Sequence, residues 1–195
     1  MIRRISSLLA DTVVKTKKIS NQEREIYEYC LYVVFNHLIY ALIMLFTGII
    51  THRFYISFIF LLTLIPLRMF FGGAHASKPW ICTFLSYGIG VLLIVIIPNY
   101  YNYIPEFIMP VLMLMSMIPI ILLAPVDNKR KCFSPQQRKN LRIKGLLFLH
   151  FIILSFVLFF RFELKNLYGT IAFCVMICSI NILLGSLQKR KDVAK

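Results

Sequence analysis

Six stretches of nearly unbroken apolar character, at 27–50, 54–71, 80–97, 107–123, 146–162 and 167–186, constrain this chain more than any other feature. Each approaches the roughly 20 residues of helix needed to cross a hydrocarbon core about 30 Å thick. Backbone amides find no water there, so a segment must satisfy its own hydrogen bonds as a helix or close into a barrel. Barrel strands alternate apolar and polar side chains with period 2, and these runs do not. The reading is an all-α, polytopic integral membrane protein with about six transmembrane helices. Composition agrees, since 59% hydrophobic and 15% charged residues lie outside the range of soluble domains. The second span is the least regular: Pro66 can kink it, and Arg68 and Gly72–Gly73 mark its end, which leaves a tilted or partly re-entrant path open.

A net charge of +14 would suit nucleic acid if it formed one solvated face, but the basic residues fill the gaps between apolar runs, so no nucleic-acid partner is expected. With six spans, 1–26, 72–79, 124–145 and 187–195 share one side, and with Arg68 that side holds 19 of the 22 Lys and Arg residues. The other side keeps Arg53, Arg161 and Lys165. The positive-inside rule then puts both termini and both long loops in the cytoplasm of a multi-pass cell-membrane protein.

Three regions follow: a cytoplasmic segment 1–26, a single membrane domain 27–186 and a basic tail 187–195. In the first, Ile2, Ile5, Leu9 and Val13 share a helical face, with Arg3, Arg4, Lys15 and Lys17 available to anionic lipid head groups. That pattern suits an amphipathic interfacial helix, and it also suits a plain charged leader that only sets orientation. No cleaved signal peptide is expected. Residues 124–145 read as the largest polar loop. Cys30, Cys82, Cys132, Cys174 and Cys178 are an odd number without paired spacing, so no disulfide framework is implied.

Several chemistries lack their residues. There is no HExxH or other paired metal-ligand spacing, no phosphate-binding GxxxxGK[ST] loop and no pair of carboxylates within the spans, so no metal and no cofactor are expected. His37, His52 and His150 have no partner pattern and read as packed or locally bonded. The second loop differs. From Arg68 to Cys82 it reads RMFFGGAHASKPWIC, with His75 and Cys82 seven residues apart at the membrane surface. Pro79 suits the first position of the third helix, which would set Cys82 in its first turn, near the positive end of the dipole. A thiol of ordinary pKa about 8.5 is acidified there and becomes a better nucleophile at neutral pH. Gly72–Gly73 permits a tight turn that would fold His75 back over the thiol, where an imidazole can take its proton and later return it to a leaving amine. The bland alternative is a topogenic loop with an incidental thiol.

At this motif the sequence resembles the accessory gene regulator B (AgrB) family, membrane cysteine endopeptidases of Gram-positive quorum-sensing systems. Arg68, Gly72, Gly73, His75, Ala76 and Cys82 resemble the family's arginine, double-glycine, His-Ala and cysteine signature with its interval of seven. Ala124-Pro125-Val126-Asp127-Asn128-Lys129 resembles the proline-acid-asparagine-lysine stretch of the family's next cytoplasmic loop. The resemblance implies that Cys82 is the nucleophile, His75 the general base and acid, and Arg68 and Gly73 supports of the site beside Gly72. Asp127 is a candidate to orient the imidazole, or a turn cap. The substrate implied is an AgrD-type propeptide, cut before its acidic tail, with the new carboxyl end held on the enzyme cysteine before thiolactone or lactone closure. A homodimer is also implied. The competing reading is a non-enzymatic peptide exporter or signalling scaffold, against which the absence of midplane carboxylates argues mildly.

Overall fold

The computed structural model describes residues 6–12, 21–74, 79–126 and 134–193, and among them the regular structure is entirely helical. In chain order these are α1 (6–12), α2 (Asn21–Ile50), α3 (Phe54–Phe71), α4 (Pro79–Val91), α5 (Ile108–Leu123), α6 (Pro135–Arg161) and α7 (Lys165–Val193). A π-helical turn, Leu92–Ile96, and a 3-10 segment, Ile97–Tyr103, continue α4. The chain divides into two compact units, Met1–Phe46 and Thr47–Lys195.

The first unit holds α1 and most of α2. Ser6 and Ala10, four apart, form the buried face of α1, while Leu8 and Leu9 are exposed. Ile2, Ile5, Val13 and the four basic residues assigned to that helix lie outside the described residues. Arg24 closes the unit: its Nε donates to Asp11 at 2.7 Å and its Nη2 to Ser7 Oγ at 3.3 Å. The hydrogen bond and charge of Asp11 hold the Arg24 guanidinium pKa above its ordinary value. In α2, the Nδ1 of His37 bonds the Val33 carbonyl one turn back at 2.7 Å, within its own helix.

In the second unit α7 is the central helix. It packs against α3, α5, α6 and the 3-10 segment, and 50% of its apolar window is buried against 22% for α6. Tyr168, Ile171, Val175, Cys178 and Ile182 recur every three or four residues along its core face. They meet Leu67 and Phe71 of α3, Met109, Met113 and Ile120 of α5, and Leu149, Ile152 and Phe156 of α6. Small residues set the approach distances, as helix packing in lipid demands. A Cβ on Gly169 would stand 2.8 Å from the Tyr101 ring, and one on Gly185 would stand 2.7 Å from the Gly73–Ala74 backbone.

Among the described residues, five helices are long and apolar enough to cross a membrane: Cys30–Ile50, Phe54–Phe71, Phe84–Tyr101, Pro135–Arg161 and Lys165–Gln188. The sixth stretch forms α5, whose 16 residues reach about 24 Å at 1.5 Å per residue. Its two ends nevertheless lie at opposite levels of the bundle. Just before it, Glu106 pairs with Lys165 at the start of α7. Just after it, Val126 is tied to Phe71 and Gly72, beside Asn181.

The third span lies a few residues later than the apolar run from 80 to 97 and is less regular, passing from α4 through the π-helical turn into the 3-10 segment. Pro98 has no N–H for the Ile94 carbonyl. Arg53 supplies the donor, its Nη1 reaching Ile94 O at 3.1 Å and Val95 O, and its Nη2 reaching Asn99 Oδ1. The second span, by contrast, runs as one helix through Pro66 to Phe71.

The polar loop read at 124–145 is shorter than expected, because α6 already begins at Pro135. Ser134 and Gln137 form a reciprocal capping box, each side chain accepting the other's backbone N–H at 3.2 Å, with Pro135 at the first helical position. This is a strong start signal for a helix even where the first three turns are basic. Helical structure likewise begins before the first apolar run, at Asn21, and outlasts the last, to Val193.

Candidate active site

The end of α3 is where the second unit departs most from simple helix packing. Gly72 caps the helix, donating its N–H to Arg68 O at 3.1 Å with φ +70°, and Gly73 follows at φ +129°. Both angles fall where L side chains are strained. Space forbids a side chain as well: a Cβ on Gly72 would stand 2.5 Å from Val126 O, and one on Gly73 2.6 Å from the Asn181 side chain.

The two glycines therefore let the backbone pass between two walls. On one side Val126 N–H donates to Phe71 O at 3.0 Å and forms an isolated parallel bridge with Gly72. On the other, Ala74 N–H donates to the backbone oxygen of Asn181 in α7 at 3.0 Å. That second bond needs the absence of a side chain at Gly185, which lies one turn on from Asn181 and directly under Gly73–Ala74. Residues 71–74 are thus pinned from two directions just before the chain reaches position 75.

Arg68 links this clamp to α4. Its Nη1 donates to Ser86 Oγ at 3.0 Å, so the guanidinium bridges two helices. A cavity of about 390 Å³ opens beside the bond. Leu64 and Arg68 of α3, Ala74, and Leu85, Ser86 and Ile89 of α4 line one part of it; Cys178, Asn181 and Gln188 of α7 line another.

The sequence-predicted residues distribute as follows. Arg68, Gly72 and Gly73 come together in the clamp. α4 does begin at Pro79, so the backbone of Cys82 lies in its first turn, four residues before Ser86. The Cys82 side chain, His75 and Asp127 lie outside the described residues. Cys30 is exposed, and Cys174 and Cys178 are buried free thiols. Sequence reasoning missed Ser86, Val126 and Asn181. Of these only Asn181 carried a signal, as a carboxamide inside an otherwise apolar span.

The sequence model of the family described as accessory gene regulator B, AgrB, matches residues 6–182. The chain is 29% identical over 171 residues to AgrB-like protein 2 of Clostridium perfringens (strain 13 / Type A), covering 83% of this chain and 80% of that protein. It is 28% identical, with the same coverage, to an AgrB-like protein of Clostridium perfringens (strain SM101 / Type A). No solved structure matches. A family match that takes in both the Gly72–Gly73 clamp and the helix it is tied to, on an all-helical membrane fold, means that the chain belongs to the accessory gene regulator B family.

Proposed function

We propose that this protein is a membrane cysteine endopeptidase that cuts an AgrD-type propeptide ahead of its acidic tail, with Cys82 as nucleophile and His75 as general base and acid. The observation that carries the reading is the double clamp on residues 71–74 together with the Arg68–Ser86 bond. The first fixes the backbone from which His75 departs, and the second ties the same element to the helix that carries Cys82. Fixing both ends of a short loop restricts where its functional groups can go, and acyl transfer rewards such restriction heavily.

In the proposed reaction the Cys82 thiol passes its proton to the His75 imidazole and the thiolate attacks the scissile carbonyl. The carbon–nitrogen bond then breaks, the departing amine takes the proton from His75, and the acyl group remains on Cys82 as a thioester. Where the propeptide has its own internal thiol, that thiol displaces Cys82, exchanging one thioester for another and releasing a thiolactone. A site near the bilayer keeps water from intercepting the thioester.

The first turn of α4 favours the thiolate through the positive end of the helix dipole. Arg68 and Gly73 support the site through the contacts described, and Asp127, which directly follows the bridged Val126, is proposed to orient the imidazole. The one-sided distribution of basic residues supports a cytoplasmic position for this site, where such loops would attract an acidic tail. Co-expression with a propeptide is the test. Cys82→Ser and Cys82→Ala should leave the propeptide uncut, and processing equal to that of the parent chain would reject the proposal in favour of an exporter or scaffold.

A further inference from the structure

The cavity beside the clamp has a composition that packing alone does not explain. Its walls are mostly aliphatic, from Leu64, Leu85, Ile89, Ile177, Ile180 and Leu184, yet Asn181 sits among them. The carboxamide makes no side-chain hydrogen bond to any described residue, and its backbone oxygen is already committed to Ala74 N–H. The Asn181 side chain is only half-buried, so its carboxamide is open to a partner in the cavity, and a polar group inside an apolar span favours one.

Size and position restrict that occupant. About 390 Å³ lies within the range of clefts that take small ligands or short peptide segments, roughly 300–1,000 Å³. The cavity touches Ala74, one residue before His75, and Leu85, Ser86 and Ile89, which follow Cys82 by one to two helical turns. Leu85, Ser86 and Ile89 stand three, four and seven residues after position 82 and so lie on the same face of α4 as that position. A carboxamide can both donate to a peptide carbonyl and accept from a peptide N–H, the two groups that an extended backbone presents.

Resting on the peptidase reading, we propose that the cavity between α3, α4 and α7 is the subsite for the apolar residues of the propeptide immediately before the cut, with Asn181 binding their backbone. The aliphatic walls select apolar side chains, and the Asn181 carboxamide fixes the register of the segment and hence which bond meets the nucleophile. The same residue holds the loop through its backbone oxygen, so a side-chain substitution leaves the loop anchor in place.

The binding test uses the full chain carrying Cys82→Ser in membranes, with a co-expressed AgrD-type propeptide bearing a benzophenone amino acid at single positions. Probes in the two residues before the cut should crosslink to cavity residues such as Ile89, Ile180 and Leu184, and probes in the leader should not. Crosslinks from those two residues that fall outside the cavity, or only to lipid, overturn the assignment. Because this arm needs no turnover, it stands apart from a failure of Cys82 to be the nucleophile. In the Cys82-containing chain, Asn181→Leu should raise KM about tenfold with kcat changed less than threefold, the loss of about one hydrogen bond, and Asn181→Ser should recover part of it. An unchanged KM, or an equal loss in kcat alone, would contradict the role given to the side chain.

Discussion

Replacing Gly73 by alanine perturbs the clamp with a single methyl group. The new Cβ meets two independent obstacles. The backbone stands at φ +129°, and holding an L residue in such a region costs on the order of 1–3 kcal/mol. The methyl also arrives 2.6 Å from the Asn181 side-chain nitrogen and 3.1 Å from the Asn181 backbone oxygen. The side chain can swing away, but the oxygen belongs to α7 and accepts the Ala74 N–H, so the loop is the part that moves.

A displacement of about 1 Å at a catalytic group lowers rate by roughly 10²-fold. Gly73→Ala should therefore cut single-turnover processing of a co-expressed propeptide by about that factor, with an unfolding cost of about 1–3 kcal/mol read as a lower midpoint in detergent. Gly88→Ala is the matched control. A Cβ there has nothing within 4 Å, and alanine stabilises a helix interior by about 1 kcal/mol, so processing should be unchanged. If Gly73→Ala processes within twofold of the parent while its stability falls, the clamp is structural only and its assigned role in the site is wrong.

Five further substitutions have expected outcomes. Ser86→Ala should reduce processing about three- to tenfold, since it removes the charged bond from Arg68, and Arg68→Lys should not restore full activity because a point charge cannot copy the guanidinium. Gly185→Ala, which would bring a Cβ to 2.7 Å from Gly73–Ala74, should mimic Gly73→Ala in processing. Arg53→Ala strips donors from the Ile94 and Val95 carbonyls and should lower thermal stability by about 2–4 kcal/mol without changing alkylation of Cys82 by a maleimide. Lys165→Ala breaks a solvent-screened pair with Glu106, so the detergent melting midpoint should barely move.

Much of the architecture was legible because hydrocarbon allows so few backbone solutions: the apolar runs became helices at the expected places, and Pro79 opened α4. Ends were harder. The basic turns before Leu146 have the charge of a loop, yet the Ser134–Gln137 capping box starts a helix there, and the polar residues from 187 continue the last helix to Val193. At the site, Gly72–Gly73 announced a turn, but not its partners. Val126 and Asn181 lie more than 50 and 100 residues away along the chain, and no local pattern tells which distant backbone groups a pair of glycines will meet. Gly185 was readable only as a small residue in a span; that it makes room for the Gly73–Ala74 backbone follows from the tertiary arrangement alone.

The central claim is a covalent one, and intact-protein mass spectrometry of the chain quenched in acid during turnover tests it most directly. The account predicts an added mass equal to the propeptide without its tail, mapped to Cys82, released by hydroxylamine as a thioester would be, and missing from Cys82→Ala. Continued processing with no adduct at Cys82, or an adduct on another residue, would contradict it.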